Sequence, residues 1–303
     1  MKVRQIRLEK GMTVNQLVEK MGQSRVMGAG RIARATDVMQ QMIEDRDCTV
    51  FLGIAGALVP GGMKNVIIDL LGHADVVVTT GATLTHDLVE ALGYSHYRGC
   101  AQADDAVLNK KRYDRIYDVY MPDRVYEGLE EFFKKHFDAL KDAEDIREFL
   151  FRLGSLVKAK DSILRTCHDR KIPLYCPAIA DSGIGLMIWG HLAQGKRIRV
   201  GAFDDLKSML DTAWTSKKAG VIYLGGGVPK NYIQQAMQLS PRAASYGVQI
   251  TMDRPEPGGS SGAELREGIS WGKMNKDANF VDVICDVTIA LPIIVSALKE
   301  RLK

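Results

Sequence analysis

The sequence predicts an α/β protein: a Rossmann-like, doubly wound, mostly parallel sheet with helices added at the N-terminus and in the middle. Two observations predict the sheet. Apolar runs of strand length, such as Thr49-Val50-Phe51-Leu52 and Val221-Ile222-Tyr223-Leu224, alternate with helical patterns in the βαβ rhythm. These runs are apolar at consecutive positions, which suits strands covered on both faces. A third observation places a site, because several runs end in glycines or small residues where open parallel sheets bind ligands.

Taken in order, the first fifty residues read as two helices. Thr13 with Gln16 is a capping signal ahead of Leu17, Val18 and Met21. A second helix, about 32–44, carries Ile32, Ala35, Val38, Met39, Met42 and Ile43 on one face, with Gly22, Gly28 and Gly30 read as the loop between. Residues 1–47 thus read as a helical extension. The strand at 49–52 leads into the small-residue stretch 53–62 and a helix at about 63–71. The next strand, 75–80, passes through Gly81-Ala82-Thr83 into a helix containing Asp87 and Glu90. Residues 103–160 are more polar, with charged helices at 126–140 and 146–158 and little strand character, and read as a helical excursion. The sheet resumes at 173–178, a helix follows 180–185, and 196–201 reads as a short strand before a helix at 204–216. The last strands are 221–224, 248–252 and 281–285. No linker rich in Pro, Gly or Ser cuts the chain, so 1–303 reads as one domain.

Composition excludes several classes. With 46% hydrophobic and 26% charged residues, the chain has an ordinary core-forming balance. Its net charge of +4 is dispersed among acids, which gives no warrant for nucleic-acid binding. No apolar run approaches the roughly 18 residues that span a bilayer, and Met1-Lys2-Val3-Arg4 opens no apolar signal core. The five cysteines form no C-x-x-C and the six histidines show no ligand spacing, so no metal is expected. A reducing cytoplasm is the expected compartment, without a membrane.

Two features carry chemistry. The turn Gly225-Gly226-Gly227 after a buried strand lets backbone approach a phosphate or a ring, although no G-x-G-x-x-G is present. Asp181 or Asp286, at other strand ends, could accept a ribose hydroxyl. Lys273 follows Ser270-Trp271-Gly272. A lysine alone reads as a solvated surface group, but a Trp ring beside it can desolvate it and pack a substrate's carbon chain. Burial lowers an amine's pKa toward the range where it is a nucleophile, able to form an imine.

The segments 224–230, 258–263 and Glu267 through Ser270-Trp271-Gly272-Lys273, with Asp286, resemble the deoxyhypusine synthase family. Residues 48–53, 75–80 and Pro177-Ala178 before Asp181 do so too. The resemblance spans roughly 20–300, S-W-G-K is its most specific part, and the short N-terminus looks like an archaeal or bacterial member. It implies a homotetramer binding NAD, and oxidation of spermidine to an imine whose aminobutyl group passes to an enzyme lysine. The group then goes to a lysine of translation initiation factor 5A, where NADH reduces it. By motif, Lys273 is the implied nucleophile. Trp271, Glu267, His86 and Asn231 would line the amine, and Thr80, Gly81, Asp181, Gly226, Thr251 and Asp286 would contact NAD.

The chain also departs from the family pattern. Glu-Glu-Asp becomes Thr85-His86-Asp87, and the aspartate ending G-S-L-G-D becomes Leu186. The His after the G-G-G-V-x-K lysine becomes Asn231, and the aspartate of G-S-D-S-G becomes Ser260. Glu267 and Asp87 are left as the acids expected to meet a polyamine. Two other readings follow: a paralogue using another amine (homospermidine-forming or agmatine-using), or an NAD-binding protein without catalysis.

Overall fold

The computed structural model describes residues 2–302. In chain order the elements are α1 (Val14–Ser24), α2 (Met27–Glu44), β1 (Cys48–Ile54), α3 (Lys64–Leu71), β2 (Val76–Thr79), α4 (Gly81–Ala91), β3 (Tyr97–Arg98) and α5 (Asp105–Lys110). There follow β4 (Tyr113–Ile116), β5 (Val119–Pro122), α6 (Arg124–Leu140), α7 (Ile146–Leu156), α8 (Ile163–Arg170), β6 (Leu174–Tyr175) and α9 (Gly183–Ala193). The chain ends through α10 (Ala202–Thr215), β7 (Lys218–Leu224), α11 (Gly227–Leu239), β8 (Ala244–Thr251), α12 (Glu267–Ser270), β9 (Met274–Ile284) and α13 (Val287–Arg301). Two compact units are formed, one of residues up to Ala55, Asp69–Val78 and Leu206 onward, the other of Gly56–Ile68 and Thr79–Asp205.

The first unit holds the sheet predicted from the apolar runs. Strands β2, β1, β7, β8 and β9 lie side by side in that order. The β1–β7 pair is parallel from Cys48↔Lys218 to Ile54↔Leu224, and β7–β8 and β8–β9 are parallel as well. From Val50 to Ile54 and from Ala219 to Leu224 every residue is buried, so neither face of these strands meets water. Helices α1, α2 and α13 meet at Val18, Ala33 and Ala297. The Thr13–Gln16 pair does form a capping box on α1, with Thr13 Oγ1 accepting from Gln16 N at 3.2 Å. The expected glycine loop is different, since Gly22 lies inside α1 and Gly28 and Gly30 inside α2. Packing explains it: a Cβ on Gly22 would press on Ala33, and one on Gly30 would strike the Arg25 backbone. Gly22 and Gly30 permit close approach rather than breaking the helices.

The second unit is mostly helical, with Phe133, Phe137 and Leu140 of α6 and Phe149, Leu150 and Leu153 of α7 in its interior. It also carries an antiparallel sheet, β3-β5-β4, inside and just ahead of the stretch expected to have little strand character. The hairpin between β4 and β5 turns at Tyr117, whose φ of 54° is left-handed, without the Asn-Gly signal such turns usually show. The strand expected at 196–201 does not form; Gly201 alone makes a bridge with Asp145. Among the described residues, no helix is long and apolar enough to cross a membrane.

Candidate active site

In the first unit the two glycine-rich motifs meet. Gly226 is the N-cap of α11, and a Cβ there would overlap Ser261. Gly225 and Gly227 have φ of 80° and 65°, a conformation L side chains rarely adopt, and a Cβ on Gly227 would meet nothing within 4 Å. The result is an uncapped helix N-terminus with open space beside it, where backbone N–H groups favour a phosphate. Thr251 ends β8 with its hydroxyl accepting from Asp253 N at 3.0 Å. Asp286 caps α13, with Oδ1 accepting from Thr288 N at 2.7 Å.

Lys273 sits at the opposite end of β9 from Asp286, with the whole strand between them. Gly272, at φ 68°, closes a tight turn in which Lys273 N donates to Gly268 O at 2.8 Å. The turn sets the Lys273 Nζ 4.7 Å from the centroid of the Trp271 ring, which is itself 54% exposed. Glu267 is exposed in the first turn of α12, and Asn231 is half-buried in the first turns of α11.

Beside these lies a lysine that the sequence reading did not single out. Lys230 is 2% exposed. Its Nζ donates to Ala263 O at 2.5 Å, and Gln249 Nε2 donates to the same oxygen at 3.1 Å. Burial brings its amine down to about 8, and the Lys273 charge acts in the same direction against the pull of Asp282 and Glu267. Asp282 is buried too; burial raises its carboxyl more than the Leu265 amide and the Lys230 amine lower it. The signal that could have found Lys230 is its place between Pro229 and Ile233, both on the buried face of α11.

In the second unit two helix N-termini come together. Thr80 caps α4, accepting from Thr83 N at 3.3 Å, and Ser182 caps α9, accepting from Gly185 N at 3.1 Å. Gly81 is packed so closely on Ser182 that a Cβ would overlap that side chain. Asp181, immediately before Ser182, is exposed. Thr85 is fully used by the scaffold, donating to Gly81 O at 2.9 Å and accepting from Ile184 N at 3.3 Å. Leu186, 57% exposed, offers no acceptor.

Asp87 corrects an expectation. Fully buried, it accepts from Ser162 Oγ at 2.7 Å, Ile163 N at 2.8 Å and Leu164 N at 2.9 Å, satisfying the N-terminus of α8. Burial pushes its carboxyl up to about 6 despite those bonds. It holds a helix and is not presented to an amine. His86 is half-buried on α4, with Nδ1 2.9 Å from His96 Nε2. Among the described residues no group of three His, Cys, Asp or Glu could hold a metal ion.

A mostly parallel sheet with glycine-lined strand ends places the protein in the α/β class with a Rossmann-like sheet. The deoxyhypusine synthase family pattern matches residues 16–298, and the chain belongs to that family. It is 46% identical over 294 residues to "Probable deoxyhypusine synthase 1" of Methanosarcina mazei, covering 96% of this chain and 92% of the relative. It is 40% identical to "Probable deoxyhypusine synthase" of Methanothermobacter thermautotrophicus, covering 98% of each. A crystal structure from Entamoeba histolytica carrying the deoxyhypusine synthase name superposes with a TM-score of 0.64 at 18% identity, over 98% of this chain and 96% of that one, a likeness of fold. Membership makes the protein a transferase.

Proposed function

We propose that the protein transfers an aminobutyl group from a polyamine, spermidine in the family reaction, through an imine on Lys273 to a lysine of translation initiation factor 5A. The observation that carries this reading is the Lys273 amine held over the Trp271 ring beside the buried Lys230. NAD, when bound, supplies the hydride acceptor and donor. In the first unit the residues proposed to hold it are Gly226, Thr251 and Asp286, and the open backbone at Gly227 fits such a group. Thr80, Gly81 and Asp181 are proposed contacts on the family motif alone.

The rest follows from the chain's own groups. Trp271 gives the methylene chain an apolar wall, and Glu267 offers a carboxylate to an ammonium. The Lys273 nitrogen adds to the electrophilic carbon of the oxidised substrate, and the original amine leaves. The acceptor lysine repeats that exchange and frees Lys273. Lys230, with its amine near 8, exchanges a proton at working pH. A homotetramer in the cytoplasm belongs to the same reading.

A second reading, a paralogue using a different amine, is favoured by the scaffold roles of Thr85 and Asp87 and by the apolar, exposed Leu186. Incubating the protein with NAD and spermidine, agmatine or putrescine, with and without factor 5A, and weighing the products separates the two. Modified factor 5A supports the first. An aminobutylated small amine without it supports the second.

A further inference from the structure

Basic residues that the sequence scatters come together in the first unit. A cavity of about 930 Å³ is lined by Lys2, Arg4, Arg25, Arg31, Arg34 and Arg301, against two acids, Glu19 and Asp37. Its size falls in the range of small-molecule pockets, roughly 300–1,000 Å³. Of these cations only Arg301 is ion-paired, its Nη1 2.8 Å from Asp37 Oδ1. Arg31 Nη1 donates to the main-chain Asp282 O at 2.6 Å, and Arg34 Nη2 donates to Asn279 Oδ1, both neutral acceptors. Lys2, Arg4 and Arg25 have no hydrogen-bonding or ionic partner among the described residues. Glu19 accepts from Asn15 Nδ2 at 3.0 Å and pairs with none of them.

The turn that carries Arg25 is tightly built. Arg25 and Met27 have φ of 59° and 51°, left-handed without being glycine, a conformation that persists only where the surroundings over-determine it. Gly30 supplies that constraint, since the Arg25 backbone lies so close that a Cβ on Gly30 would overlap it. Val26, the N-cap of α2, makes no side-chain cap, so the first N–H groups of that helix are also left to solvent or a ligand. Like charges gathered in one cavity repel each other, and a concave wall focuses their field. An anion entering the cavity relieves that repulsion.

We propose that this cavity binds a small anion of several charges: the phosphate groups of a nucleotide or of an inorganic polyphosphate. Guanidinium groups take phosphate oxygens through paired, planar N–H donors, and five of the six cations here are arginines. A long nucleic acid would need a basic stripe along the surface, whereas these charges converge on one concavity. The inference is independent of the amine-transfer reading, because the lining includes none of the residues proposed to meet NAD or the amine.

The test is calorimetric titration of the full chain with inorganic tripolyphosphate at low ionic strength. NAD is present throughout, so that the Gly225–Gly227 turn is not the site measured. Tripolyphosphate should bind at one site per chain. The double variant Arg4→Gln, Arg25→Gln should weaken it about tenfold or more, the loss of at least one charged hydrogen bond. Lys134→Gln, which removes an exposed charge on α6, should leave it unchanged. Phenylglyoxal labelling with peptide mass mapping should show Arg25 and Arg31 protected by tripolyphosphate. If the double variant misfolds, that protection in the wild-type protein still decides. ATP bound more tightly than tripolyphosphate assigns a nucleotide, and ATP bound no more tightly assigns the phosphate chain alone. No tripolyphosphate binding, an equal loss in Lys134→Gln, or binding without protection of Arg25 overturns the site. An RNA oligonucleotide that binds where tripolyphosphate does not overturns the small-anion assignment.

Discussion

The amine of Lys273 stands 4.7 Å from the centroid of the Trp271 indole, two residues away across a turn closed by Gly272. Such a pairing restricts where the amine can go without removing it from solvent.

Lys273→Arg should abolish group transfer while leaving NAD binding nearly intact. Arginine keeps the charge and can still stack on Trp271, but it cannot be deprotonated in a protein and forms no imine. Borohydride trapping followed by peptide mass mapping checks this: the wild-type adduct belongs on Lys273. An adduct on Lys230 would reassign the nucleophile.

Lys230 predicts a pH dependence of stability. Its folded pKa, about 8, lies below the ordinary 10.5, so between those values the unfolded chain binds more protons and stability rises with pH. Going from pH 7.5 to 9.5 should add on the order of 2 kcal/mol that is missing in Lys230→Met. Urea melts of both proteins at both pH values give the double difference. A null result would mean that Lys230 is paired well enough to stay charged.

Asp87→Asn should weaken the fold by about 1–3 kcal/mol, because an amide cannot accept all three hydrogen bonds that the carboxylate takes from Ser162, Ile163 and Leu164. The loss should appear as faster amide exchange at the start of α8. Equal protection in both proteins would contradict the role assigned to Asp87.

Spermidine should be bound poorly in the family's usual pose. Thr85, Leu186 and Ser260 supply no charge where that pattern has acids, and each lost charged hydrogen bond costs about 1.5–3 kcal/mol. Even with strong non-additivity, binding should fall by ~100-fold or more. Steady-state assays on spermidine, agmatine and putrescine measure this, and a low-micromolar spermidine KM with efficient factor 5A modification would refute it.

Much of the fold was legible because it rests on local signals. The continuously apolar strands β1, β2 and β7 and the Thr13–Gln16 box state their structure in their own residues. What misled was determined by contacts distant in sequence. Gly30 looks like part of a loop until the Arg25 backbone is seen packed against it inside α2. The β4–β5 hairpin hides because Tyr117 adopts φ of 54° without a glycine. At the site, the Trp-Gly-Lys turn was readable, whereas the burial of Lys230 depends on Ala263 and that of Asp87 on Ser162. The link from His86 to Glu90 passes through His96, which the chain brings back only after the turn at Gly93.

Asp87 is the one acid of its motif that this chain keeps, and it is the one whose removal would unseat a helix. Letters that sit together in a family signature can thus answer to different demands, one to architecture and others to the ligand. A relative can exchange its ligand-facing letters while the architectural one stays in place. Counting surviving motif positions therefore overstates how much of a substrate preference has been inherited.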